Sequence, residues 1–214
     1  MAIYTKLDKE KVVSIISNYN LGNMNNYQGI KEGIENTNYL VETDKGKYIL
    51  TIYEKRVNKD DLPFFSKLME ELSNKKFICP KPILNKNNKY ISDLGSKKFM
   101  LVSYLEGKSK TNLSPDDCSS VGKQAARLHE ITKNFDFKRD NDLSVKSWRR
   151  IFEQVKDKCN RIHPDLPKLI ETNLEDVEKD WPENLPKGII HADLFHDNIF
   201  FKNNNFSGFI DFYF

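Results

Sequence analysis

Apolar and polar positions follow two different periods in the first half of the chain. In TKLDKEKVVSIISNYNLG the apolar positions recur at helical spacing, which predicts a helix that runs to a C-cap at Gly22. Two runs rich in β-forming residues then flank TDKGK, whose Asp44 and Gly46 predict a hairpin turn. A second helix is predicted in DLPFFSKLMEELSNKK, followed by short strands at residues 82–84, 90–91 and 99–104. The apolar face of the first helix is predicted to consist of Val12, Val13, Ile16 and Tyr19.

The pattern becomes mostly helical after Gly107. The stretch SPDD at residues 114–117 offers a hydroxyl N-cap, a proline in the first turn and acids that face the helix dipole, so a helix is predicted to begin there. Two more helices are predicted in SVKSWRRIFEQVKDKCN and DLPKLIETNLEDVEKD. The last segment, IIHADLFHDNIFFKNNNFSGFIDF, predicts a loop and then a two-stranded hairpin that turns at KNNN. We therefore expect an antiparallel sheet with helices, a linker near residues 105–108, and a helical half closed by a hairpin.

Composition argues against several classes of protein. No run of about 18 apolar residues occurs, so no transmembrane helix is expected, and the N-terminus lacks the apolar stretch of a secretory signal. The 34 basic and 31 acidic residues give a net charge of only +3 without a segregated basic patch, which argues against nucleic acid or a membrane as partner. Three cysteines without CxxC spacing argue against a disulfide scaffold or zinc site and favour a cytoplasmic protein.

The segment HADLFHDNIFF carries polar groups between apolar runs: His191, Asp193 and Asn198 lie in one short loop, and Asp211 follows in the closing IDFYF. Phosphoryl transfer needs a carboxylate that receives the proton of the acceptor hydroxyl, and oxygen ligands that hold magnesium against the phosphates. Asp193 can accept the proton, and Asn198 can offer a neutral oxygen to the metal. A hairpin can bring the carboxylate of Asp211 back beside Asn198. The pattern therefore predicts a site for a metal and a nucleotide, with His191 as a hydrogen-bonding group that orients the loop.

These segments resemble the aminoglycoside phosphotransferase and choline kinase superfamily. HADLFHDN and FSGFIDFYF are similar to its catalytic and metal-binding segments. Within it, the chain is most similar to the bacterial homoserine kinases, through GIENTNYLVETDKGKYILTIYEKR, DLPFFSKLMEEL, KFMLVSYLEGKS, NDLSVKSWRRIFE and LPKGIIHADLFHDNIFF. These phrases cover nearly the whole chain.

The resemblance implies an α+β, protein-kinase-like fold with two lobes. The N-lobe, a small antiparallel sheet with helices, would span residues 1–105, and the mainly helical C-lobe residues 106–214. The resemblance also implies that the protein uses ATP and Mg²⁺ to phosphorylate the side-chain hydroxyl of L-homoserine, a step of threonine biosynthesis. Carried over residue by residue, Asp193 is the catalytic base, and Asn198 and Asp211 are the magnesium ligands.

Further contacts follow from the same resemblance. GIENTNY, residues 33–39, occupies the place of the loop that covers the phosphates, and FMLVSYLEG that of the linker whose backbone binds adenine. Arg149 is a candidate clamp for the carboxylate of the acceptor, because guanidinium binds carboxylate with two parallel hydrogen bonds, and Trp148 lies beside it. A surface role for the arginine and a packing role for the tryptophan remain open. The implied nucleotide contacts are Gly33, Asn36, Thr37, Asn38, Ser103 and Leu105.

Two departures from the superfamily stand out. Thr51 occupies the strand position where a phosphate-binding lysine is usual, so the cation is sought among Lys47, Lys55 and Arg56, and its helix partner at Glu70 or Glu71. The family also continues for further helices beyond the segment at which this chain ends, so we expect a truncated form with an incomplete C-lobe. Two alternatives remain open: a kinase that acts on choline, ethanolamine or an aminoglycoside, and a nucleotide-binding module without activity.

Overall fold

The computed structural model describes residues 3–33, 35–55 and 57–213. The chain divides into two compact units, one formed by residues 1–137 and 188–214 and the other by residues 138–187. These limits differ from the lobe boundary that the resemblance implies between residues 105 and 106, and the division into lobes stays a prediction. None of the helices in the described ranges is long and apolar enough to cross a membrane.

The first unit contains a five-stranded antiparallel sheet with the order β1-β2-β3-β5-β4. The predicted hairpin is confirmed, because β2 and β3 pair with each other and turn between Thr43 and Gly46. The predicted strand at residues 82–84 is wrong: Pro82 makes only an isolated bridge with Val102, since proline has no N–H to donate to a ladder. The strands are β1 Met24–Ile30, β2 Thr37–Thr43, β3 Gly46–Tyr53, β4 Ile91–Leu94 and β5 Lys97–Ser103.

Helices cover both faces of this sheet, because its central strands are apolar on each side. The helix α1, Lys9–Ile16, packs in one cluster with Leu50 and Ile52 of β3. The helix α2, Leu62–Asn74, packs in a second cluster with Tyr53 and Met100 on the opposite face. Since successive strand residues point to opposite faces, odd and even positions of β3 separate cleanly between the two clusters. We call these the α1 face and the α2 face.

The first helix is shorter than its pattern predicts. It ends at Ile16, after which Asn18 and Tyr19 donate to the carbonyls three residues before them, at 3.1 and 2.9 Å. These tighter turns carry the chain to Gly22, which has the expected left-handed conformation with φ of +77°. Tyr19 is buried as predicted, whereas Val13, within the helix, is 44% exposed.

The α2 face also holds the end of the chain. The helix α3, Pro115–Thr132, begins at Ser114 with a capping box closed by Asp117, as the SPDD stretch predicts. The predicted C-terminal hairpin is present as β6, Ile199–Lys202, and β7, Asn205–Phe209. Its inward residues Ile199, Phe201 and Phe209 are buried in the same cluster as α2.

The linker is tied to this hairpin. The backbone groups of Lys108 and Phe201 exchange two hydrogen bonds, at 3.0 and 2.9 Å, so the linker extends the hairpin by one bridge.

The second unit is a pair of helices, α4 Val145–Cys159 and α5 Leu166–Asp180, both predicted. A small apolar cluster of Phe152, Cys159 and Leu174 joins them, and Lys156 pairs with Glu171 at 2.9 Å.

Candidate active site

The loop that leads into β6 holds Asp193 and Asn198 against each other. The side-chain amide of Asn198 donates to both the backbone carbonyl and the carboxylate Oδ2 of Asp193, each at 2.9 Å. A short 3₁₀ turn, His196–Asn198, closes the five-residue step between them. Because the amide nitrogen of Asn198 is used in this way, its amide oxygen remains to face a cation.

The hairpin brings Asp211 beside this loop. Ile199 pairs with Phe209, and one step further Ile210 donates its N–H to the carbonyl oxygen of Asn198 at 3.0 Å. Asp211 is the next residue, so the strand pairing itself places it next to Asn198. A second bond joins the two segments, because His191 Nε2 lies 2.8 Å from the carbonyl oxygen of Ile210.

Asp211 lies in a site of excess negative charge. Burial by the surrounding protein, together with the carboxylates of Glu35, Asp193 and Asp197, raises the pKa of its carboxyl to about 6. Part of its surface still faces solvent, so the group is crowded by protein atoms and yet reachable. Its φ of +62° is uncommon for a residue other than glycine and aims the side chain out of the strand direction. A divalent cation would relieve this repulsion.

His191 is a structural part of the site. Its ring is buried and packs against Phe212, with ring centroids 4.8 Å apart. Burial lowers the pKa of the imidazole below its usual value, against the opposing effects of the Ile210 carbonyl and of Asp193. The neutral ring therefore donates from Nε2 to Ile210 and ties the catalytic loop to the segment that carries Asp211.

The loop between β1 and β2 reaches the same site. Glu35 is close enough to Asp211 to raise its pKa, which places this loop near the carboxylate of Asp211. Gly33 is exposed with φ of +90°, a conformation that favours glycine. The side chain of Asn38 accepts a hydrogen bond from Thr51 at 2.8 Å, whereas that of Asn36 is buried and accepts the backbone N–H of Glu54 at 3.3 Å.

Thr37 points away from Asn38. Its hydroxyl donates to Glu54 at 2.8 Å on the α1 face, so any contact of Thr37 with a nucleotide falls to its backbone. Ile34, in the middle of the loop, lies outside the described residues.

Two of the three candidate cations for the strand-lysine position, Lys47 and Lys55, lie in the described residues. Lys47 is paired with Glu42 at 2.8 Å, Lys55 is exposed, and Arg56 lies outside the described residues. Thr51 is buried and bonded to Asn38, so it contributes a neutral hydroxyl at this position.

Neither predicted helix partner joins this position. Glu70 pairs with Lys67 and with the hydroxyl of Tyr90, and Glu71 lies 3.9 Å from Lys75.

The linker positions differ in what they can offer to adenine. The N–H of Ser103 donates to the carbonyl of Lys81 at 2.8 Å, and its hydroxyl accepts the N–H of Lys81 at 2.9 Å, so both groups are already used. Within residues 3–33, 35–55 and 57–213, Leu105 has no backbone hydrogen bond of this kind, so its N–H and C=O can bind a ligand. Met100 and Val102 are buried in the core with α2 and serve packing.

The two acceptor candidates lie in the second unit. Arg149 forms a bidentate pair with Glu178, with distances of 2.7 to 3.0 Å, which occupies its guanidinium fork. Trp148 donates its indole N–H to the carbonyl of Leu143 at 2.6 Å and packs edge-on against Trp181. Both contacts stabilise this unit internally.

Sequence reasoning missed two carboxylates that act at the site. Glu35 adds negative charge near Asp211, and an acid directly before Asn36 in a glycine-containing loop was the available signal. Glu54, the residue after β3, bonds to both Asn36 and Thr37, and only the strand register reveals that proximity.

The oxygen donors of this site fit a metal ion whose remaining ligands are phosphate and water oxygens. In the described part of the chain, no group of three or more His, Cys, Asp or Glu side chains can hold a metal by itself. Asn198 and Asp211 supply two oxygens, and magnesium in phosphoryl-transfer sites is commonly held by one or two protein groups plus phosphates and water.

A model of the phosphotransferase enzyme family matches residues 26–214. The chain belongs to this family. Curated relatives include homoserine kinases of Chelativorans sp. (strain BNC1), 42% identical, and Rhizobium meliloti (strain 1021), 41% identical. Each alignment spans all 214 residues of this chain and 66% of the relative, so the chain has about two thirds of their length.

Solved structures of other kinases share the fold. A choline kinase from Cryptosporidium parvum Iowa II has a TM-score of 0.66 at 20% identity and covers 96% of this chain and 64% of its own. An amicoumacin kinase in complex with AMP-PNP and Ca²⁺ also has a TM-score of 0.66, at 17% identity, with coverage of 96% and 64%. The predicted protein-kinase-like fold class is confirmed.

Proposed function

We propose that the protein is an ATP-dependent homoserine kinase that transfers the γ-phosphoryl group of ATP to the side-chain hydroxyl of L-homoserine. The observation that carries this proposal is the alignment of all 214 residues with homoserine kinases at 41–42% identity. The contact between Asp193 and Asn198, beside Asp211, supports the same chemistry. A place in threonine biosynthesis and a cytoplasmic location follow from this activity, and free Cys79, Cys118 and Cys159 suit a reducing compartment.

Asp193 acts as the general base in this proposal. Its carboxylate takes the proton of the acceptor hydroxyl while that oxygen bonds to the γ-phosphorus and ADP leaves. Asn198 keeps this carboxylate in place through its amide N–H, at 2.9 Å. Asn198 and Asp211 would hold Mg²⁺ through oxygen atoms, and a bound ion would supply neutralisation of the charge on the phosphates.

The loop after β1 covers the phosphates in this proposal. Gly33 allows backbone amides to approach phosphate oxygens, and Asn36, Thr37 and Asn38 continue the loop into β2. At the linker, the free backbone groups of Leu105 bind adenine. Ser103, the last residue of β5, holds the start of the linker through its hydrogen bonds with Lys81.

Recognition of the acceptor needs a positively charged partner in the protein. L-homoserine is a zwitterion, so its carboxylate needs a cation. Arg149, with Trp148 beside it, remains the candidate. Its bidentate pair with Glu178 must open for that role, because one guanidinium fork binds one carboxylate at a time.

A side-by-side assay of acceptors tests the proposal. ADP release from Mg·ATP is measured with L-homoserine, choline and an aminoglycoside, and the phosphorylated product is identified by mass spectrometry. We expect phosphohomoserine from the wild-type chain and none from Asp193→Ala. Turnover with choline or the aminoglycoside alone would replace homoserine as the acceptor, and nucleotide binding without transfer to any of the three would favour a silent module.

A further inference from the structure

A polar cluster lies behind the β1–β2 loop, on the α1 face of the sheet. Its centre is Glu54, the residue after β3, whose side chain is only 9% exposed. The carboxylate accepts hydrogen bonds from the hydroxyls of Thr5 at 2.6 Å and Thr37 at 2.8 Å. Lys97, the first residue of β5, pairs with its other oxygen and also donates to the hydroxyl of Thr5 at 2.5 Å.

The strand register separates this cluster from the face on which Thr51 meets Asn38. Thr37 pairs with Ile52, and Asn38 pairs with Thr51. Ile52 belongs to the α1-face cluster, so Thr37 and the cluster around Glu54 lie on that face. Asn38 and Thr51 bond to each other on the α2 face, at 2.8 Å. The carboxylate of Glu54 therefore contacts the start of β2 on the α1 face, opposite the face on which Asn38 and Thr51 meet.

Two consecutive residues, the last of the loop and the first of β2, form hydrogen bonds with Glu54. Its backbone N–H donates to the side-chain oxygen of Asn36 at 3.3 Å, and its carboxylate binds the hydroxyl of Thr37. Asn36 and Thr37 are both buried, with exposed fractions of 7% and 0%. The junction between the loop and β2 is thus held by Glu54, the residue that follows β3.

The N-terminal segment closes the other side of the cluster. The N–H groups of Tyr4 and Thr5 both donate to the Thr37 hydroxyl oxygen, at 3.0 and 3.1 Å. The hydroxyl of Tyr39 donates to the carbonyl of Thr5 at 2.9 Å and accepts the N–H of Leu7 at 3.0 Å. Residues 4–7 therefore lie as a strap across the start of β2, and Thr5 fastens the strap to Glu54.

We propose that Glu54 is a positioning residue for nucleotide binding: its carboxylate, held by Lys97 and the strap, fixes Thr37, and its backbone N–H holds Asn36, so that the loop is preorganised to cover the phosphates. This inference rests on the proposed function, in which the loop binds ATP. A buried carboxylate that accepts three donors cannot be removed without leaving them unpaired, so its loss loosens the loop. Preorganisation lowers the entropy lost on binding, and its loss raises the dissociation constant of the nucleotide.

The charge of Glu54 supports this role. Burial opposes its ionisation, but the hydrogen bonds from Lys97, Thr5 and Thr37 hold the pKa of its carboxyl below the usual value. The group is therefore an acceptor for all three donors at neutral pH.

Three variants of the full chain separate positioning from general stability. Glu54→Leu removes the acceptor. Glu54→Gln combined with Lys97→Met keeps an amide oxygen for the two hydroxyls and removes the lysine that would lose its partner. Glu42→Gln is the matched control, because Glu42 pairs with Lys47 at the far end of the same β2–β3 hairpin. Binding of Mg·AMP-PNP is measured by calorimetry, KM for ATP and for L-homoserine by steady-state kinetics, and stability by urea unfolding.

We expect Glu54→Leu to raise the dissociation constant of Mg·AMP-PNP and the KM for ATP by about tenfold, the effect of one buried hydrogen bond, with KM for L-homoserine unchanged. The double variant is expected within about threefold of wild type, and Glu42→Gln equal to wild type. Wild-type nucleotide affinity in Glu54→Leu, or equal losses for both substrates, would overturn the inference alone. A wild-type chain that binds no nucleotide would overturn the proposed function as well.

Discussion

His191 Nε2 lies 2.8 Å from the carbonyl oxygen of Ile210, the residue before Asp211. This contact joins the loop that carries Asp193 to the strand end that carries Asp211, two segments that are separate in the sequence. The imidazole can donate this bond only from the nitrogen that carries a proton, and burial keeps the ring neutral by lowering its pKa. The geometry of the site therefore depends on one buried histidine.

The low pKa of His191 predicts a loss of stability in mild acid. The folded pKa lies below the unfolded value of about 6.5, so the unfolded chain binds more protons, and stability falls as the pH drops below about 6.5. One such group contributes a slope of at most about 1.4 kcal/mol per pH unit. Urea unfolding of wild type and His191→Gln between pH 5 and 8 measures it.

The comparison with His191→Gln isolates this residue, because all other titrating groups, including Asp211, are shared by both chains. The stability difference between the two chains is expected to shrink or reverse toward pH 5. A difference that stays constant over the whole range would show that the ring does not resist protonation.

Asp193→Ala is expected to abolish transfer and preserve nucleotide binding. The carboxylate is assigned to proton transfer, a contribution of roughly 10²- to 10⁴-fold to kcat, whereas the nucleotide contacts lie elsewhere. Single-turnover transfer and Mg·AMP-PNP affinity are measured on the same preparation. Asp197→Ala, an exposed carboxylate in the same loop, is the control and is expected to lose less than about tenfold in kcat. Parallel loss of binding and transfer in Asp193→Ala would mean that the residue serves folding.

Gly208→Ala is expected to destabilise the hairpin. A Cβ at this position would lie 2.7 Å from the carbonyl oxygen of Ile78 and 2.8 Å from Leu105, at a φ of +128°. Strain of this kind costs of order 1–3 kcal/mol, and urea unfolding measures it. Gly188→Ala is the matched control, because an added Cβ there meets no atom within 4 Å. Equal unfolding midpoints for the two variants would contradict the close approach.

The three cysteines are expected to react at very different rates. Burial raises the pKa of the Cys79 thiol to about 12, and Cys159 is also buried, whereas Cys118 is exposed on α3. Because the thiolate is the reactive form, a thiol reagent at pH 8 should modify one cysteine quickly and the others only on unfolding. Cys118→Ser should remove the fast phase. A fast phase that survives this substitution would show that a core cysteine is accessible.

Periodicity predicted most of the fold because local and tertiary preferences agree. The SPDD capping box begins α3 at the expected residue, and the alternation in YILTIY matches the two packed faces of β3. The predicted end of the first helix was wrong, because the residues up to Tyr19 form tighter turns that helical spacing does not describe. The strand predicted at residues 82–84 was wrong, because β pairing depends on a partner that lies far along the chain.

The site was predictable where spacing along the chain determines geometry. The five-residue step from Asp193 to Asn198 produces their hydrogen bond, and the hairpin returns Asp211 to them. The cluster around Glu54 was not predictable, because its members come from the strap, β2, the residue after β3, and β5, and they meet only through sheet register.

The effect of Mg²⁺ on nucleotide binding, measured in wild type and Asp211→Ala, tests the convergence of Asp193, Asn198 and Asp211 most directly. Calorimetry with AMP-PNP is carried out with Mg²⁺ and with EDTA at pH 8, where Asp211 is ionised because its pKa is about 6. We predict that Mg²⁺ strengthens binding to the wild-type chain by at least about tenfold and that Asp211→Ala loses most of this gain. The same gain in both chains would contradict the account.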